Sequence, residues 1–91
     1  MIEVNKVEVG ADYRLHLIFE NGESRVFDMT PYLQYPVFQR LRNSGFFSLA
    51  RVDYGTVTWP GGIDIAPETL YEFSGAEKEI GDRQIMQLSE P

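Results

Sequence analysis

An Asn-Gly pair set between two runs of alternating residues constrains this chain more than any other feature. Leu15, Leu17 and Phe19 alternate with Arg14, His16 and Ile18, Asn21-Gly22 follows, and a second run extends from Ser24 to Met29. A two-residue type I′ turn needs positive φ at both central residues, which Asn and Gly tolerate, so the pattern predicts a β-hairpin over Tyr13 to Met29. With Asn21-Gly22 as the whole loop, Phe19 pairs with Ser24, Leu17 with Val26 and Leu15 with Asp28. His16 then faces Phe27, and Ile18 faces Arg25.

The rest of the chain is read around that hairpin. Ile2 to Val9 reads as a strand, but Ile2 and Val4 have one parity and Val7 and Val9 the other. A bulge near Asn5-Lys6, or partial cover on both faces, reconciles them. Thr30-Pro31 opens a helical turn capped by Thr30, with Asp28 as a further local cap. Pro36 to Arg42 carries a helical apolar stripe of Val37, Phe38 and Leu41, stopped at Asn43-Ser44-Gly45 with Gly45 left-handed. Phe46 to Tyr54 and Thr56 to Trp59 read as a second hairpin turning at Tyr54-Gly55, with Val52 opposite Val57 and Ala50 opposite Trp59. Pro60 ends that strand, Gly61-Gly62 reverses the chain, and Ile63 and Ile65 bury. Pro67 starts a second helix with Glu68 near its positive end, Leu70 and Phe73 turned inward, and Ser74-Gly75 as its stop.

Strands in hairpins interrupted by short helices indicate an α+β fold. The expected architecture is a mostly antiparallel sheet of two hairpins plus an N-terminal strand, with two short helices. At 91 residues a single domain is expected, over residues 1–75. From Ala76 polar and charged residues dominate, and Ile85, Met86 and Leu88 form a late apolar cluster. Residues 76–91 therefore read as a flexible C-terminal tail that a partner could order.

Composition narrows the chemistry. The chain has no Cys, which removes disulfides, thiolate catalysis and cysteine-based zinc sites and fits a reducing cytoplasm. The start lacks the basic and apolar regions of a signal peptide, and no apolar stretch approaches the roughly 18 residues of a membrane span. Net charge is −6, so a phosphate backbone would be repelled; Arg40 and Arg42 are the one close basic pair, and direct nucleic-acid binding is not expected.

No catalytic set emerges. His16, the single histidine, has no second His or Cys with which to build a site and reads as a strand residue on the more polar face. Asp53 and Asp64 are the carboxylates that could meet beside the Trp59 surface and do acid–base work if one were desolvated. Turn and cap roles account for them more simply. There is no Gly-x-Ser-x-Gly elbow, and Gly61-Gly62 lacks the Gly-Lys-Ser/Thr ending of a phosphate loop. Neither an enzyme nor a cofactor is expected. The aromatic residues leave a binding role open, and Trp59, Tyr71, Tyr54 and Asp64 are the candidate interface residues.

The stretch Val52 to Tyr71, with its Trp59-Pro60-Gly61-Gly62-Ile63-Asp64 block and Pro67-Glu68-Thr69-Leu70 helix start, resembles the bacterial domain-of-unknown-function 2442 family. The Phe27-Asp28-Met29-Thr30-Pro31-Tyr32 segment is similar to that family's central motif, and the resemblance runs along most of residues 1–73. It implies a small α+β domain with no assigned activity. Members often stand beside another small protein in toxin–antitoxin-like arrangements, which implies a binding or neutralising role. Some relatives carry a helix-turn-helix domain after this one; the residues after Gly75 are too few for that, so DNA binding in cis is not expected. The resulting expectation is a non-catalytic interaction module, antitoxin-like, with a protein partner or a homo-oligomer as its assembly. The alternatives are a small enzyme or ligand-binding domain using Asp53 and Asp64, and a transcription-regulatory accessory domain.

Overall fold

The computed structural model describes residues 2–76. Seven strands form two antiparallel sheets. Sheet A has the order β1-β2-β3-β7, from Val4–Val9, Arg14–Phe19, Ser24–Asp28 and Gly75–Ala76; sheet B has the order β4-β5-β6, from Arg51–Asp53, Thr56–Trp59 and Ile63–Ile65. Short helical pieces fill the gaps: 3₁₀ turns at Thr30–Tyr32 and Pro36–Arg42, α1 at Ser44–Phe47 and α2 at Pro67–Glu72. The α+β class and antiparallel pairing are as the sequence indicates, but the pairing is divided between two sheets.

One core lies between them. Leu15, Leu17, Phe19, Phe27 and Met29 from sheet A meet Val57, Trp59, Ile63 and Ile65 from sheet B, with Leu41, Phe47 and Leu70 closing the sides. The N-terminal strand joins the sheets: Glu20 N–H donates to the Glu3 carbonyl, and Val4 N–H donates to the Gly55 carbonyl, both at 2.8 Å. Of the two explanations for the mixed parity, the bulge is present, with the β1–β2 register shifting between Val4 and Lys6. The extra residue lets Val4 bury while Val7 and Val9 also pack on the core.

The first hairpin forms with its register displaced by one residue from the expected one. Leu15 pairs with Phe27, His16 with Val26, Leu17 with Arg25 and Ile18 with Ser24. The loop is longer than two residues: Phe19 N–H donates to Glu23 O at 3.0 Å, and Gly22 N–H donates to Phe19 O at 2.8 Å. Gly22 alone has positive φ, at 87°, which makes a type I turn followed by a glycine bulge. Asn21 turns differently because its Oδ1 accepts from Glu23 N–H at 3.0 Å, which holds the loop open by one residue.

Three further expectations change. Thr30 is not the cap of its turn; Asp28 Oδ1 accepts from Thr30 N–H at 2.9 Å instead. Gly45 does not end a helix but lies inside α1, whose N-cap is Asn43, accepting from Phe46 N–H at 2.9 Å. That cap turns Phe46 and Phe47 into helix, so the strand before Tyr54 shrinks to Arg51–Asp53. Phe73, expected inside, is 66% exposed at the end of α2 while Leu70 is fully buried. The chain then continues into β7, where Val26 pairs with Gly75 and Arg25 with Ala76. The expected flexible tail, with Ile85, Met86 and Leu88, lies outside the described residues.

Candidate functional site

Trp59 is a core residue. It is 3% exposed, stacks on Phe47 at 5.9 Å between ring centroids, and donates its indole N–H to the Phe47 carbonyl at 2.9 Å. A tryptophan so placed supplies a large apolar surface and needs one acceptor for its N–H; α1 provides both. It offers nothing at the surface, so of the four candidate interface residues it is the one the fold withdraws.

Tyr54 is the opposite case. The β4–β5 register pairs Asp53 with Thr56, which leaves Tyr54-Gly55 as the complete loop. Tyr54 takes φ +53° and Gly55 φ +75°, so the turn is type I′ with a bulky residue where Asn or Gly is usual. The Tyr54 side chain is 93% exposed. Glu3 packs against Gly55 from one side, its Cδ 2.8 Å from where a Cβ would stand. The tip is therefore an exposed aromatic ring beside the carboxylates of Glu3 and Asp53.

Asp53 and Asp64 share the outer face of sheet B, on opposite sides of β5. Asp64 is exposed and pairs across the ladder with Thr58, which faces Arg51 in turn. Asp53 lies 3.7 Å from Arg51 in an exposed ion pair. Neither lines either of two concavities on the surface, one walled by Lys6, Glu8, His16, Leu17, Ile18 and Ser24, and another by Arg40, Asn43, Gly45, Phe46 and Leu49. His16 stands on the outer face of sheet A between Glu8 and Val26, its ring lying over Gly10. Among the described residues no three His, Cys, Asp or Glu side chains are grouped as a metal site.

Tyr71 belongs to a small polar cluster that the sequence does not announce. Its hydroxyl donates to Glu23 Oε1 at 2.5 Å, and the Arg25 guanidinium lies 4.1 Å above its ring. Arg25 also pairs with Glu23 at 2.8 Å and donates to the carbonyls of Tyr71 and Ser74. The Tyr71 hydrogen bond, with Arg25 and Asn21 adding to it, holds the Glu23 carboxyl below its ordinary value. Arg25 sits on the core side of β3 opposite Leu17, so its charge has to be met there. The cluster ties α2 and β7 to the first hairpin and is fully used in doing so.

Arg40 was legible only as half of a basic pair. Its guanidinium lies 4.6 Å above the Phe46 ring, and one of its terminal nitrogens is 2.6 Å from where a Cβ on Gly61 would stand. Gly61, at φ +89°, is required by its backbone conformation, and its open side lies against Arg40. Arg40 has no anionic partner among the described residues.

The sequence model of the family described as "Protein of unknown function (DUF2442)" matches residues 4–76. The chain belongs to the DUF2442 family. In this DUF2442 domain the Trp-Pro-x-Gly-x-Asp block performs structural work: Trp59 fills the core, the exposed Pro60-Gly61-Gly62 turns the chain beneath Arg40, and Asp64 faces solvent between the buried Ile63 and Ile65. No curated protein is detectably similar. Among solved structures, that of a candidate DNA-binding protein of Nitrosomonas europaea, NE0471, shares the fold with a TM-score of 0.72 at 21% identity, over 89% of the DUF2442 chain. The chain spans about half the length of that protein, 52%. No helix among the described residues is long and apolar enough to cross a membrane.

Proposed function

We propose that this domain is a non-catalytic protein-interaction module, antitoxin-like in binding the small protein made beside it, and that the Tyr54 tip is its contact. The observation that carries this reading is Tyr54 itself. Left-handed backbone costs a non-glycine residue about 1–2 kcal/mol, and here the side chain gains no burial in return. Exposed tyrosines are favoured at the centres of protein interfaces, and the neighbouring carboxylates would steer a basic partner. The test is co-expression with the product of the adjacent gene, followed by purification at low salt. A complex weakened by Tyr54→Ala supports the reading, and separate elution of the two proteins ends it.

A second reading, an accessory domain of transcriptional regulation, draws on the fold shared with the N. europaea protein. Net charge of −6 counts against direct phosphate contact by this chain, so any DNA association would run through a partner. Absence of a gel shift at every salt concentration, with and without the neighbouring protein, would dispose of it.

A further inference from the structure

The two ends of strand β5 carry complementary surfaces. At its start is the tip, with Tyr54 exposed and the carboxylates of Asp53 and Glu3 beside it. Beyond its end, past the Gly61 turn, lies the groove lined by Arg40, Asn43, Gly45, Phe46 and Leu49. Leu49 is about half exposed there, and Val37, more exposed still, stands one 3₁₀ turn before Arg40 on the same side of its helix. The groove is shallow and open, mainly apolar, with a guanidinium at its wall. That guanidinium rests over the Phe46 ring and beside Gly61, and its planar fork can take a carboxylate in two parallel hydrogen bonds.

Resting on the reading of the Tyr54 tip as a protein contact, we propose that in the absence of another protein its partner is a second copy of this chain. The Tyr54 ring seats in the Phe46–Leu49 groove, and the Asp53 carboxylate meets Arg40. Each surface holds what the other lacks: an aromatic ring beside unburied carboxylates, and an apolar hollow beside a cation with no anionic partner among the described residues. The Arg51–Asp53 pair is exposed and 3.7 Å long, an arrangement of little stability that is readily exchanged for Arg40. Tip and groove stand at opposite ends of β5, so one copy cannot close the contact on itself. Two copies related by a two-fold axis make it twice and leave no open end.

Sedimentation equilibrium of the full chain over a range of concentrations and salt tests this. A reversible dimer that weakens as salt rises is expected. Y54A, R40E and D53R should each weaken it at least tenfold, with circular dichroism spectra and melting curves showing that each variant is folded. The decisive sample is an equal mixture of R40E and D53R. A two-fold pair of these variants has one native contact and one with its charges exchanged, so the mixture should recover dimer that neither variant forms alone. A chain that stays monomeric at every concentration overturns the proposal, as does a dimer indifferent to R40E and D53R, or a mixture that recovers nothing. If the chain is monomeric yet binds its neighbour's product through Tyr54, self-pairing falls and the interaction reading stands. If it does neither, both fall.

Discussion

The Tyr71 hydroxyl and the Glu23 carboxylate meet at 2.5 Å across the gap between α2 and the first hairpin. This contact is the largest influence lowering the Glu23 pKa below its ordinary 4.5. A carboxyl whose pKa is depressed by folding contributes stability that is present above its unfolded value and lost as pH falls through its folded value. Tyr71→Phe should therefore raise the Glu23 pKa toward 4.5, read by NMR titration of the side-chain carboxyl, and flatten the loss of stability below that pH. An unchanged titration would mean that Arg25 and Asn21 set it without Tyr71.

Trp59→Phe removes an indole N–H that donates to the Phe47 carbonyl in the core. The carbonyl keeps a second donor, Ala50 N–H at 3.2 Å, so the polar part of the loss should stay near that of one hydrogen bond, about 0.5–1.5 kcal/mol, with a cavity cost for the smaller ring added to it. Trp59→Ala leaves a larger cavity and should cost about 3–5 kcal/mol. The substitution removes the only Trp, so urea unfolding has to be followed by far-UV circular dichroism.

Tyr54→Asn should stabilise the isolated domain by about 1 kcal/mol, because Asn accepts left-handed backbone more readily than Tyr. Nothing is given up in exchange, since the Tyr54 ring is exposed. Thermal unfolding at a concentration where the chain is monomeric is the measurement. A fall in melting temperature would show that the ring packs within its own copy.

Gly61→Ala should be costly because it strains a backbone at φ +89°. The new methyl would also meet the Arg40 guanidinium, 2.6 Å away, but that is the end of a long exposed side chain and can swing aside at little cost. A loss of about 1–3 kcal/mol is expected from the backbone conformation. Gly62→Ala has a similar φ, +78°, but open space around it, so the difference between the two isolates the Arg40 contact.

What the sequence reveals here follows how local each determinant is. The second hairpin's register, with Val52 opposite Val57, is readable from Tyr54-Gly55 because a two-residue loop leaves no freedom. Parity alone shows that Ile2 to Val9 cannot be a regular one-faced strand, but leaves a bulge at Asn5-Lys6 and cover on both faces as alternatives; the register shift between Val4 and Lys6 decides for the bulge. The first hairpin slips by one because Asn21 has two uses, as a left-handed turn residue or as an acceptor for Glu23 N–H, and its pattern suits both. Phe46-Phe47 reads as strand because a short apolar run has no period of its own; the Asn43 cap three residues before Phe46 was the available signal. Phe73 is exposed because α2 ends there, which its spacing from Leu70 does not disclose. The Arg25–Glu23–Tyr71 cluster and the Arg40–Gly61 contact join residues distant in the chain, and neither leaves a pattern in sequence.

The bond from Val4 N–H to the Gly55 carbonyl bears on how quickly the domain can form. Both hairpins turn within a few residues and can assemble locally in microseconds. Joining the two sheets requires the beginning of the chain to meet a turn more than half the domain's length away, and such closures are entropically costly and slow. The hairpins are therefore expected early and the joined core late. On the ribosome, β1 is made well before the turn at Gly55 that completes its pairing.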